Sequence, residues 1–297
     1  MSIRPWFALR TTSVILLAIF VFLPMSTFAQ VDLSGGWDTI RHEDGPERGM
    51  GPEIGDYTGI PLNGEARSRA DRWDAEKWTQ PEHECEPHPA DYGARGGGSM
   101  RIWADANPVT LEVTAWHTQM MWMQPLRTIY MDHRPHPADD AAHTWQGFST
   151  GEWVQDMLKV TTTHMKEGWI RRNGLPRSDK ATMTEFFIRH GSYFTIATIV
   201  DDPIYLTEPH ILTSNWIANP AVSFAPMNCI PSQEVPHPRG YVAHHLPGTN
   251  RWLGQYPAKY GIPVEAARGG AETMYPEYIL KMAKMPQPPK FVESAEN

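Results

Sequence analysis

The sequence predicts a mainly β protein, an antiparallel meander closing into a barrel or a sandwich, and three observations carry that expectation. Residues 100–217 hold nine short runs rich in β-branched and aromatic residues. Asn-Pro, Gln-Pro, His-Gly and Asp-Pro turn signals separate several of them. Little helical periodicity lies between the runs, so sequential strands are expected to pair as neighbours.

The first 29 residues stand apart from that fold. Arg4 and Arg10 precede the apolar stretch SVILLAIFVFL (13–23), and Thr27 and Ala29 occupy the −3 and −1 positions of a cut before Gln30. This is the pattern of a secretory signal peptide, and its apolar core is short for a membrane span. An uncleaved anchor is the rival reading. The expected destination is the periplasm or the exterior of a bacterial cell. Losing Arg4 and Arg10 moves the formal charge from −8 to −10. An acidic chain without basic clusters argues against nucleic acid and anionic lipid surfaces as partners. After residue 29 no run reaches membrane length.

Residues 30–297 are then expected to form one barrel domain, with an N-terminal arm (30–99), a strand core (100–217) and a wrapping tail (218–297). In the arm, Asn63 is placed to cap one short helix in GEARSRADRWDAEKW, where Ala66, Ala70, Trp73 and Lys77 fall at helical spacing. RGGGS (95–99) lacks the Lys-Ser/Thr ending of a phosphate loop and reads as a turn before a strand. The strand runs are MRIWA, VTLEVTAWH, QMMWMQ, RTIYMD, TWQGFSTGEW, DMLKVTTTH, ATMTEFFIRH, SYFTIATIVDD and ILTSNWI. RHGSYF offers a tight hairpin centred on His190 and Gly191. Residues 203–297 hold 14 of the 27 prolines, a density that forbids long helices and interior strands. Ordered coil wrapping the barrel is expected there. Cys85 and Cys229 are the two cysteines, and an oxidising compartment favours a disulfide between them.

The stretch RTIYMDHRPHP, continuing through HTWQGFSTGEWVQDMLKVTT to DDPIYLTEP, resembles a family of secreted bacterial proteins to which no activity is assigned. The likeness extends through HHLPGTN and GGAETMYPEY, and so covers most of the chain after residue 29. It departs at Val154–Asp156, where relatives carry a Gly-Asp turn, and at His133, where Gly is common. The resemblance implies a lipocalin-like barrel of the calycin type, and no particular chemistry.

Four groups of side chains are candidates for function. His133, His136 and His143 lie within eleven positions, beside Asp132, Asp139 and Asp140. Pro135 and Pro137 exclude a helix, so a solvated loop takes precedence over a metal site. A set of His133, His136 and His244 remains the metal alternative. Strand parity selects the second group. Val109, Leu111, Val113 and Ala115 share a face that His117 continues, and Leu158, Val160 and Thr162 share a face ending on His164. Both imidazoles are expected to turn inward near a barrel mouth, where histidine serves as general acid or base. Each alone is more often a satisfied core histidine.

Glu185 and Arg189 form the third group, sharing a face with Met183 and Phe187. Turned inward, Glu185 joins the acid/base set and Arg189 anchors an anionic group of a ligand; turned outward, both are merely solvated. Trp116, Trp122 and Tyr130 complete the picture as pocket wall, although filling a core is the ordinary use of such residues. No dinucleotide fingerprint, Walker loop, Cys-His pair or nucleophile elbow is present, and no cofactor is expected. The leading expectation is an exported barrel enclosing a small apolar or aromatic molecule, as carrier or as cofactor-free acid/base enzyme. The alternatives are the metal enzyme and a non-catalytic envelope protein whose aromatic surface meets another protein.

Overall fold

A computed structural model of the chain describes residues 31–41, 51–93, 98–233 and 235–288. The expected signal peptide and most of the Gly-rich turn lie outside the described residues. Among the described residues eleven strands are present: β1 (Gly35–Ile40), β2 (Met100–Ala106), β3 (Val113–Met120), β4 (Leu126–Tyr130), β5 (Phe148–Val154), β6 (Met157–Thr163), β7 (Gly168–Arg171), β8 (Leu175–Arg177), β9 (Thr182–His190), β10 (Tyr193–Asp201) and β11 (His210–Ala218). Nine of them close a barrel in the order β1-β11-β10-β9-β6-β5-β4-β3-β2, with β2 returning to β1. The expected β-barrel is therefore present, and it is lipocalin-like in architecture.

The barrel departs from a simple antiparallel meander in two places. β4 and β5 pair in parallel. Parallel neighbours need a crossover connection, and residues 131–147 supply it, so the histidine-rich stretch is the strap between them. β7 and β8 leave the barrel as a separate two-stranded hairpin, and β6 pairs directly with β9. β1 had no counterpart among the expected strands; its GGWDTI closes the cylinder against β11 and β2.

The inner face follows strand alternation. Trp37, Met100, Ile129, Leu158, Met183, Phe187, Phe194 and Trp216 are all buried. Trp37 packs on Phe194 at 5.1 Å between ring centres, and Phe187 meets Phe194 edge-on at 5.6 Å. The turn between β9 and β10 is Gly191–Ser192, one residue later than expected, with Gly191 at φ 60°. A two-residue hairpin requires such left-handed backbone, which glycine adopts without strain.

In the arm, helix α1 (Gly64–Asp71) starts where expected, with the Asn63 side chain accepting from Ala66 N at 3.0 Å. It ends sooner than its periodicity suggests. Asp74 accepts from Glu76 N at 3.0 Å and opens a new turn over Ala75–Thr79, which breaks the run before Lys77. Ala66 and Ala70 bury against Tyr57, Ile170, Leu175 and Tyr205, a second core outside the barrel.

In the tail the described helices between Gln255 and Met282 have seven residues or fewer, as the prolines require. The tail binds the arm. Asn250 Nδ2 donates to Asp71 O at 2.9 Å, Arg67 Nε to Arg268 O at 2.8 Å, and Arg268 pairs with Asp71. Cys85 and Cys229 form the expected disulfide, with Cα atoms 5.7 Å apart.

Candidate functional site

Among the described residues the inner face of the barrel is a packed core. Arg127 on β4 and Glu185 on β9 both point inward, 5 % and 1 % exposed, with Arg127 Nη2 donating to Glu185 Oε2 at 2.5 Å. The guanidinium also donates to Ser149 Oγ at 2.9 Å and Thr162 Oγ1 at 2.6 Å, and these two hydroxyls lie 2.9 Å apart. The space left beside this network is about 20 Å³, bounded by Ala90, Gly93, Thr118 and Gln146. That is room for one water and not for an organic ligand. Sequence parity left the direction of Glu185 open and overlooked Arg127. Its signal was the shared face with Ile129, an apolar inner position two residues on.

The expected acid/base set does not assemble. His117 lies on the outer face of β3, its ring stacked on Trp103 at 5.3 Å, with Nε2 2.8 Å from Asp105 Oδ2 and Nδ1 3.1 Å from Thr128 Oγ1. The parity was sound but the face was wrong. Val109 and Leu111, 87 % and 77 % exposed, belong to the turn before β3, and Leu111 is left-handed there at φ 61°. The inner face of β3 is Trp116, Thr118 and Met120. His164 is buried immediately after β6, at φ 56°, where the strand has already ended. Its Nε2 lies 2.9 Å from Ala138 O and its Nδ1 2.7 Å from Thr163 Oγ1. It holds the crossover strap rather than bordering the lumen. Arg189 caps the hairpin, with Nε donating to Gly191 O at 3.1 Å and its guanidinium 5.3 Å from the centre of the Trp37 ring.

The strap itself is pinned by hydrogen bonds. His136 Nδ1 lies 2.7 Å from Thr163 Oγ1 and Nε2 2.9 Å from Thr150 Oγ1, so both ring nitrogens are engaged. Burial, and then the neighbouring His164, hold the His136 imidazole below its ordinary pKa. The His143 ring packs on His164 at 5.1 Å. His133 is exposed at φ 56°, and His244 lines a different groove with Glu65 and Trp73. Among the described residues no group of three His, Cys, Asp or Glu side chains is placed to hold a metal, and the set of His133, His136 and His244 does not come together. Tyr130 is half-buried beneath the Arg134 guanidinium, 3.8 Å from the ring centre, and touches Phe148. Trp116 is core.

The aromatic cavity lies elsewhere, between the arm and the loops at one barrel mouth. It measures about 180 Å³ and is walled by Trp78, His88, Tyr92, Trp122, Trp145 and Trp169. Local chemistry explains the wall. Pro81 opens the one-turn helix Pro81–Glu84, and Pro87 and Pro89 keep the following backbone extended and free of two N–H donors. The chain then turns through Ala90–Gly93, all buried, where Ala90 N donates to Trp145 O at 3.0 Å. Gln146 Nε2 donates to His88 O at 2.7 Å. Behind the turn, fully buried Arg177 donates through Nε to Asp91 Oδ2 at 2.9 Å and fixes it. The segment that walls the pocket thus continues into the turn that plugs the lumen. Trp78, Trp169 and Trp73 pack edge to face at 4.9 to 5.7 Å, and His88 stacks on Trp122 at 6.2 Å.

Polar groups converge on the same space. Glu84, Glu86 and Arg172 line it. Glu84 accepts from Ser232 N at 2.6 Å, and Glu86 Oε1 lies 3.0 Å from His83 Nδ1. The second oxygens, Glu84 Oε1 and Glu86 Oε2, are buried and have no hydrogen-bond partner among the described residues. Burial pushes the His88 imidazole down to about 4, and the Arg172 guanidinium adds to the effect. Of the expected pocket residues only Trp122 borders this cavity; it is 52 % exposed. HECEPHP drew notice only for its cysteine, and the tryptophans come from segments distant in sequence.

Comparison with protein-family models, with curated proteins and with solved structures returns no match.

Proposed function

We propose that this chain is an exported binding protein for a small planar apolar or aromatic molecule, seated in the tryptophan-walled cavity outside the plugged barrel mouth. The observation that carries the reading is the contrast between two spaces: one of about 20 Å³ beside the buried Arg127–Glu185 pair and a concave pocket of about 180 Å³ lined by aromatic rings. Ligand sites are typically concave, apolar and marked by a few convergent polar groups, and this cavity has all three properties. The acid/base reading loses support, because His117 faces outward and Glu185 is tied to Arg127. Export is supported by the Cys85–Cys229 bond, by the resemblance to secreted bacterial proteins and by the leader-like residues 1–29. Among the described residues no helix is long and apolar enough to cross a membrane.

Titration of a neutral planar probe, N-phenyl-1-naphthylamine, against the wild type and Trp122→Ala tests the reading. Trp122 is largely solvent-facing, so its removal should leave the fold intact. Loss of one stacking wall should weaken binding about tenfold, the value of roughly 1.4 kcal/mol. Equal affinity for both proteins, or no saturable binding at all, would remove this site.

A further inference from the structure

We propose that the molecule this pocket takes is an organic cation, a protonated amine carried on an aromatic or apolar body. The inference rests on the pocket reading above and names the ligand class for it. Its basis is the pairing of indole faces with two carboxylate side chains in the lining of one small space. Among the described residues Glu84 Oε1 and Glu86 Oε2 are shielded from solvent and without partners, although the other oxygen of each carboxylate is engaged. A buried acceptor left unmade is costly, and a ligand N–H that reaches it recovers that loss. An ammonium supplies three such donors together with the opposite charge. The walls add to the preference. Tryptophan is the strongest aromatic partner for a cation, and Trp78, Trp122, Trp145 and Trp169 all border the space. The protein uses the same contact internally, with Lys77 Nζ 4.9 Å from the centre of the Trp169 ring and Lys166 Nζ 5.2 Å from that of Trp145.

The charge balance points the same way. Among the residues that line the space, Glu84 and Glu86 bring two negative charges against the positive charge of Arg172, which is already engaged within the protein, while Lys77 and Lys166 lie against the walls from outside the lining. His88 stays neutral near pH 7, because burial disfavours its cation, so it does not repel a positive ligand. The chain as a whole carries −8, which favours approach of cations over anions. A neutral ligand of the same shape offers these carboxylates at most an uncharged donor, and an anionic one adds repulsion.

Three probes with one aromatic body separate the possibilities: 2-naphthylmethylamine, 2-naphthylmethanol and 2-naphthoate, each titrated calorimetrically into the disulfide-bonded protein at pH 7. The ammonium should bind at least tenfold tighter than the alcohol, and the carboxylate should bind weakest. In Glu86→Gln the advantage of the amine over the alcohol should shrink severalfold while the affinity for the alcohol changes little, and Glu84→Gln should act in the same direction. If the alcohol binds as tightly as the amine in the wild type, the cation inference is overturned and the pocket reading survives. If none of the three binds, both fall. Because the wild-type ranking decides the matter alone, a variant that folds poorly does not remove the test.

Discussion

Replacing Glu185 by Gln should expose what the lumen is for. Gln keeps the shape of the side chain and one acceptor oxygen, so the change removes charge and little else. Arg127 Nη2 and Glu185 Oε2 stand 2.5 Å apart, at 5 % and 1 % exposure. With an effective dielectric near 20, two unit charges about 4 Å apart attract by roughly 4 kcal/mol. Without the carboxylate, the Arg127 guanidinium stays buried on two neutral hydroxyls, Ser149 and Thr162. Breaking such a pair by removing one partner costs about 3–5 kcal/mol, because the remaining charge is uncompensated. The lower end, about 3 kcal/mol, is expected here since those hydroxyls stay bonded. Arg127→Met with Glu185→Leu removes both charges together and should cost clearly less than the sum of the single changes. Urea unfolding followed by far-UV circular dichroism reads the midpoint, and an unchanged m-value confines the loss to stability. A Glu185→Gln loss below about 1 kcal/mol, or single changes that simply add, would show that the pair is not the closed core described.

Two further outcomes follow. The His88 imidazole is held down to about 4 when folded and returns to 6.5 when unfolded, so the unfolded chain takes the proton first as pH falls. Its contribution is complete above pH 6.5 and declines by up to roughly 3 kcal/mol on the way to pH 4; His88→Leu should flatten that part of the stability profile, and an unaltered slope would refute the buried setting. Reduction of Cys85–Cys229, which spans 144 positions, should lower stability by about 5 kcal/mol on the chain-entropy account, a loss read by urea unfolding with and without reductant. The bond also ties the pocket segment to residues 229–232, so probe affinity should fall on reduction under conditions where the fold persists.

The strands were legible because burial on one face imposes a period of two, and the runs containing β2, β6, β9 and β10 lie close to their true bounds. The Asn63 cap and the disulfide were legible because a single local or redox rule decides each. Strand alternation separates the two faces but does not say which is inside. His117 shows this, since its supporting apolar residues Val109 and Leu111 turned out to form an exposed turn. The parallel pairing of β4 and β5 leaves no mark on either strand and shows only in the length of the strap between them. The motifs that carried the resemblance are structural devices. Asp202 in DDPIYLTEP accepts from Ser178 N, Ser178 Oγ and Ile204 N at 2.6 to 2.9 Å and staples β10 to the segment after β8. Gly147 in HTWQGFSTGEW sits at φ 65°, where an added Cβ would lie 2.5 Å from Thr163 O. The pocket was the least legible part. Trp78, His88, Trp122, Trp145 and Trp169 come from four separate segments that meet only in the folded chain.

A ligand seated among the mouth tryptophans leaves the lumen untouched. Indole N–H resonances, assigned by single Trp→Phe changes, report on both places at once during titration with 2-naphthylmethylamine. Trp122, Trp145 and Trp169 should shift saturably together, while Trp37, Trp116 and Trp216 inside the barrel stay in place. Shifts confined to Trp37, Trp116 and Trp216 would place the ligand in the lumen and contradict the account.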